Sequence, residues 1–136
     1  MGITYVEAEV MGPTGHRAPV RLLVDSGATY SLLPESVWKA LELAPMRRMG
    51  FTLADGTVVE RQVSECYLVL PQGEGHTPVI LGEPDDEGLL GVVTLEILGL
   101  VFNPFTRSLH QMRALLMGMK SHPTKQDEQF RGQSPL

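Results

Sequence analysis

Leu22-Leu23-Val24 runs straight into Asp25-Ser26-Gly27-Ala28, and this junction limits the fold more than any other stretch of the chain. Three consecutive apolar residues read as a strand buried on both faces. A carboxylate at the end of such a strand is costly unless neighbouring groups satisfy it. Gly27 lets the backbone turn sharply and bring its N–H toward the Asp25 carboxylate. Ser26 offers a hydroxyl for a further hydrogen bond, and Ala28 keeps the next position small. Asp-Ser-Gly is also an ordinary composition for a solvated turn. Its place directly after the apolar triplet points instead to one carboxyl group held at a fixed point at the end of a strand.

The residues before this junction supply a partner for the strand. Thr4, Val6, Ala8 and Val10 alternate with Tyr5, Glu7 and Glu9, the pattern of a half-buried strand. Gly12-Pro13-Thr14-Gly15 is a turn, and a second strand over 18–24, with Pro19 near its start, completes a hairpin that delivers Asp25. Residues 30–33 read as extended. Pro34 suits the first position of a helix and Glu35 its first turn, and Val37, Trp38 and Leu41 share one face, so a short helix is predicted over 34–43, stopped by Pro45. Trp38 reads as a packing anchor.

Farther on, Phe51-Thr52-Leu53 and Val58-Val59 flank Ala54-Asp55-Gly56-Thr57, and an Asp-Gly pair between extended runs is a strong hairpin signal. The outgoing strand continues to Leu70, long enough for the hairpin to project as a lid or to form a sheet corner. Residues 71–76 read as a turn and Val79-Ile80-Leu81 as a buried strand. The acidic run 83–88 lacks the alternation of a calcium loop and reads as solvated. Leu89-Leu90-Gly91 opens a short helix over 93–98. A strand over 100–102, a turn at Asn103-Pro104 and a returning strand over 108–112 follow.

Length and composition narrow the function classes. The chain has 136 residues, enough for one domain with a real core, and its net charge of -5 gives no footing for a nucleic-acid partner. No basic segment followed by an apolar run opens the chain, and the apolar stretch 89–102 is interrupted by Gly91, Thr94, Glu96 and Gly99, so neither a signal peptide nor a membrane span is predicted. Cys66 is the single cysteine and lies in a strand-like run, which reads as packing and fits a reducing, cytoplasmic setting. His16, His76, His110 and His122 form no His-Glu-x-x-His arrangement, so no metal site is predicted, and no glycine-rich phosphate loop or other cofactor signature is present. The tail 113–136 begins apolar and ends polar, with disorder predicted from about 121.

In order along the chain stand the apolar triplet with Asp25-Ser26-Gly27-Ala28, the hairpin around Ala54-Asp55-Gly56-Thr57, and Leu89-Leu90-Gly91 with its helix. This succession resembles the retropepsin-like, single-domain aspartic proteases, over roughly residues 4–112. The closer likeness is to bacterial members that carry Asp-Ser-Gly-Ala and an Ala-Asp-Gly hairpin. The resemblance implies a mostly β fold of barrel type with two short helices, a domain over 1–112 followed by an extension over 113–136, and a two-fold homodimer with its cleft between subunits. It makes Asp25 catalytic. It makes Ser26 a buttress across the two-fold axis, Gly27 a source of backbone contacts to the carboxylate, residues 54–57 the tip of a flap, and Leu89-Leu90-Gly91 the support beneath the Asp25 loop.

Hydrolysis of a peptide by carboxylates needs one group to take a proton from water and another to give one to the amide. The chain has a single Asp-Ser-Gly, so the second carboxylate must come from a second subunit. The resemblance implies a polypeptide substrate. An alternative from a different class is a catalytically idle dimeric module of the same fold that binds extended chains by strand addition.

Overall fold

The computed structural model of the protein describes residues 3–112. Nine strands and two short helices make up the described residues: β1 Tyr5–Met11, β2 Arg17–Val24, β3 Ser31–Leu33, α1 Glu35–Ala40, β4 Arg47–Thr52, β5 Val58–Leu70, β6 Gly73–Leu81, β7 Leu89–Leu90, α2 Val92–Ile97, β8 Leu100–Asn103 and β9 Ser108–Gln111. The mostly β architecture with two short helices is the one the motifs imply. The predictions for 113–136 lie outside the described residues.

Alternation sets the register. On β1, Ala8 and Val10 point to the core while Tyr5 and Glu7 are exposed, and β1 pairs antiparallel with β2 so that Val6 faces Leu22 and Ala8 faces Val20. Seven strands share one sheet in the order β1-β2-β7-β3-β6-β5-β4, and β1 also pairs with β5, so the sheet curls until its first strand meets its sixth. Strands β8 and β9 form a separate antiparallel pair. The curled sheet encloses Val10, Leu22, Leu33, Leu41, Leu68, Leu90 and Leu100, all nearly without solvent contact. Each such side chain contributes about 2 kcal/mol when removed from water.

Three local expectations are corrected. The first helix is shorter than 34–43. Pro34 stands outside it as the N-cap, its carbonyl accepting the N–H groups of Val37 and Trp38. At the other end Glu42 turns left-handed at φ 57, and the Glu42 and Leu43 N–H groups donate to the Lys39 and Trp38 carbonyls, closing the helix before Pro45 is reached. The turn read over 71–76 is only Pro71 and Gln72, because Leu70 already pairs with Gly73. Its glycines are strand residues that make room: a Cβ on Gly75 would lie 2.9 Å from the Leu98 side chain. The second helix starts one residue earlier than predicted, at Val92.

The acidic run is solvated as expected at Glu83, Pro84, Asp85 and Glu87, which are exposed, and departs from that at Asp86 and Gly88. Asp86 is half-buried, accepts the Glu83 N–H and pairs with Arg61, while Glu87 accepts the Tyr5 hydroxyl at 2.7 Å. No described helix is long and apolar enough to cross a membrane.

Candidate functional site

The Asp25 loop begins where β2 leaves the sheet. Leu22 is buried, but Leu23 and Val24 are only half-buried, so the triplet is not covered on both faces as its composition predicts. The sheet thins here: the neighbour on this side, β7, is two residues long. That neighbour still fixes the loop. Strand β7 runs parallel to β2, with Leu23 opposite Leu89 and Val24 opposite Leu90, and the Asp25 N–H donates to the Leu90 carbonyl at 3.1 Å.

Within the loop the carboxylate is held by its own turn. The Gly27 N–H donates to Asp25 Oδ1 at 2.9 Å, and the Ala28 N–H donates to the Asp25 carbonyl at 3.0 Å. Asp25 is half-buried, whereas Ser26 is exposed and its hydroxyl makes no hydrogen bond among the described residues. The far side of the loop is tied to α2, whose Val92 and Val93 N–H groups donate to the Ala28 and Thr29 carbonyls, both at 2.9 Å.

Gly91 is what lets α2 come so close. A Cβ at this position would lie 2.6 Å from the Tyr30 carbonyl carbon and 2.9 Å from the Thr29 oxygen, closer than a side-chain carbon is found to approach. Leu90 beside it has no solvent exposure. Leu89, Leu90 and Gly91 are therefore brought directly against the Asp25 loop. Beneath them lies a buried hydroxyl network that the sequence reading missed. Ser31 Oγ accepts the Gly91 N–H at 2.9 Å and contacts Thr94 Oγ1, which in turn lies 2.8 Å from Thr77 Oγ1. In the sequence Thr94 is visible only as an interruption of an apolar run. Its pairing with residues 63 and 17 positions away carries no local signal.

Opposite the loop stands the β4–β5 hairpin, in register from Arg47 with Val63 to Thr52 with Val58. Its tip closes on itself. Leu53 N–H donates to the Thr57 carbonyl at 2.7 Å, the Gly56 N–H to the Leu53 carbonyl at 2.9 Å, and the Thr57 N–H to Asp55 Oδ1 at 2.9 Å. The bond from the Thr57 backbone holds the exposed Asp55 carboxyl below its ordinary range. Gly56 takes φ 89, a conformation that favours glycine, in open space. Among the described residues, the hydrogen bonds of the tip all stay within residues 53–57.

Between the loop and the hairpin lies a cleft of about 460 Å³. Gly27 and Ala28 line one wall, Phe51, Leu53 and Val59 the other, and Leu32, Ile80 and Leu89 the floor. Tyr30 and Phe51 meet edge to face across it, their ring centres 5.6 Å apart. The four residues of the Asp25 loop and the three of Leu89-Leu90-Gly91 thus lie together, and residues 54–57 lie at the end of the facing hairpin. Tyr30, Phe51 and Arg61 were not singled out from the sequence. The signal available for Arg61 was parity, since it shares the inward face of β5 with Val59 and Val63.

Among the described residues no group of three or more His, Cys, Asp or Glu side chains is placed to hold a metal ion. Cys66 is buried, and burial, with a smaller effect from Glu65, pushes its thiol up to about 12, so it is a packing residue and not a thiolate nucleophile.

A family model described as "Aspartyl protease" matches residues 6–120. Among solved structures the chain is similar to the Simian Foamy Virus (mac) protease, at 21% identity and a TM-score of 0.49, covering 68% of this chain and 91% of that one. It is similar to a retropepsin-like aspartic protease from Rickettsia conorii, at 22% identity and a TM-score of 0.47, covering 75% and 85%. It is also similar to the Prototype Foamy Virus Protease-Reverse Transcriptase, at 17% identity and a TM-score of 0.46, covering 96% of this chain and 16% of that one. No curated protein matches. The family match spans the Asp25 loop, the hairpin and Leu89-Leu90-Gly91 together, and on that extent the chain belongs to the aspartyl protease family.

Proposed function

We propose that the protein is an aspartic endopeptidase that works as a homodimer, with the two Asp25 carboxyls of the pair forming one catalytic dyad. The observation that carries this reading is the loop: a half-buried carboxylate clamped by the Gly27 N–H, with Gly27 and Ala28 lining a cleft whose other wall is the β4–β5 hairpin. One such carboxylate cannot serve both as base toward water and as acid toward the amide. Two of them facing each other across a two-fold axis can. Close carboxyls cannot both ionise, so the dyad holds one proton. The ionised member takes a proton from water as the water attacks the peptide carbonyl. The protonated member donates to the carbonyl oxygen, and the proton gained from water then passes to the leaving amine. No covalent intermediate is formed.

The exposed Ser26 hydroxyl, free of partners among the described residues, is suited to bridge the two loops at the axis. The hairpin tip, whose hydrogen bonds stay within its own turn, is suited to close over a bound polypeptide. The protease unit spans 1–112, with 113–136 as an extension, and cytoplasmic work fits the single buried thiol.

The test is to incubate the purified protein with a diverse peptide library from acidic to neutral pH, with and without a statine-type transition-state mimic. Hydrolysis that the mimic blocks and a metal chelator leaves untouched is the expected outcome, with a bell-shaped pH profile because the dyad works with one proton on it. Peptide binding without hydrolysis at any pH would establish the idle binding module instead.

A further inference from the structure

Arg61 is a charged residue on an apolar face. It stands between Val59 and the buried Val63 on the inward side of β5, opposite Met49 on β4, and its side chain is only 25% exposed. A guanidinium placed there must be paired. Arg61 Nη1 lies 3.0 Å from Asp86 Oδ2 and 3.8 Å from Glu83 Oε1, both in the loop that leads into β7. Both contacts use the same nitrogen. Nε and Nη2 make no hydrogen bond among the described residues, so the planar fork keeps donors to offer.

The position of this fork is unusual. The apolar cleft beside the Asp25 loop continues toward a second, polar cavity of about 300 Å³ lined by Glu35, Trp38, Arg48, Glu60 and Glu83 among others. Arg61 is the one residue that lines both. It is also the one charged residue lining the apolar cleft. An extended chain that leaves the cleft at this end passes Arg61.

On the proposed reading as a polypeptide-binding cleft, we infer that Arg61 is a specificity-determining residue: it admits an uncharged hydrogen-bond acceptor, a side-chain amide of the Gln or Asn kind, and turns a carboxylate away. The amide oxygen accepts from Nε–H or Nη2–H while the Asp86 pair stays intact. A substrate carboxylate instead meets one positive charge already shared by two negative ones, Asp86 and Glu83, while in the adjoining cavity Glu60 is paired with Arg48 and Glu35 with Lys39, so that those charges offset one another. Like charges brought together in this way are refused. An apolar side chain leaves the donors unpaired and gains nothing from them. Asp86 and Glu83 thereby set the sign of the selection, and Arg61 supplies the donor.

The experiment is a peptide panel in which each position in turn is Gln, Glu, Leu or Lys. Binding is read by fluorescence anisotropy on Asp25→Asn protein, so that the measurement does not depend on turnover. At one position Gln binds about tenfold more tightly than Glu. Asp86→Asn, which keeps the shape of the side chain and removes its charge, closes that gap. Arg61→Met erases the preference for Gln over Leu. Should Arg61→Met not fold, the Asp86→Asn comparison decides alone. A Gln-to-Glu ratio that is flat at every position, or one that Asp86→Asn leaves unchanged, overturns the inference. The same panel run on the wild-type chain keeps the two proposals apart. Charge-selective binding without hydrolysis sustains Arg61 and removes the peptidase, and hydrolysis indifferent to Gln and Glu removes Arg61 alone.

Discussion

The two sides of the cleft are built on opposite principles. The Asp25 loop has bonds of its own turn but is also held from outside: its backbone bonds to β7 and α2, and Gly91 beneath it tolerates no side chain. The hairpin tip 53–57 is held from within: its hydrogen bonds all join residues of the turn, and Gly56 has open space around it. A backbone tied to several separate elements moves only when they move, whereas a self-contained turn swings as a unit on its strands. Fixed chemistry under a movable cover is what this contrast provides.

The sharpest way to break the contrast is to add one methyl group to each side. Gly91→Ala drives a Cβ into the Tyr30 backbone, which cannot yield as a flexible side chain would, and should destabilise the fold by about 3 kcal/mol in denaturant titration. A cost below about 1 kcal/mol would show that the loop and α2 separate easily, contrary to the pinned picture. Next in size is the response to a ligand. Binding of a statine-type mimic should slow hydrogen exchange strongly at the Leu53 and Gly56 amides, and change it little at Asp25, already bonded to Leu90. Equal protection on both sides would remove the distinction.

Gly56→Ala is smaller. It meets no atom within 4 Å but keeps φ 89, so its expected cost is about 1 kcal/mol from backbone strain alone. A loss matching that of Gly91→Ala would mean the tip is packed rather than free. The smallest effect is on pH. The Asp55 carboxyl lies below its ordinary 3.8 because it accepts the Thr57 N–H. Its support of the turn is thus complete above that value and is lost as pH falls through the depressed one. Exchange at the Thr57 amide, corrected for its intrinsic rate, should be level through the neutral range and quicken only in strong acid. Quickening near neutral pH would assign the turn's stability to another group.

The sequence was legible where the signals are local. The strand that leads to Asp25, the Asp-Gly turn at 55–56 and the apolar pair before Gly91 each announce themselves in a few residues, and of these motifs and their neighbours Gly27, Ala28, Leu53 and Leu89 line one cleft. The end of the first helix was misread because Pro45 is a conspicuous stop, whereas the stop in use is a left-handed Glu42 whose identity gives no warning. The stretch 73–76 was misread because glycines signal turns, and here they serve the passage of β6 under Leu98. The Ser31–Thr94–Thr77 network and the Arg61–Asp86 pair were not legible at all, since each joins residues that only the closed sheet brings together.

The dyad is the centre of the account, and mixing chains tests it most directly. Wild-type and Asp25→Asn protein are mixed in varying proportion at constant total concentration, under conditions that let subunits exchange, and the total hydrolysis of a peptide is measured. If each active site needs two Asp25 carboxyls, total activity falls as the square of the wild-type fraction, and pure Asp25→Asn protein, still folded and dimeric, is slower by at least about a thousandfold. Activity proportional to the wild-type fraction, or hydrolysis that survives in pure Asp25→Asn protein, would contradict a site shared between two chains.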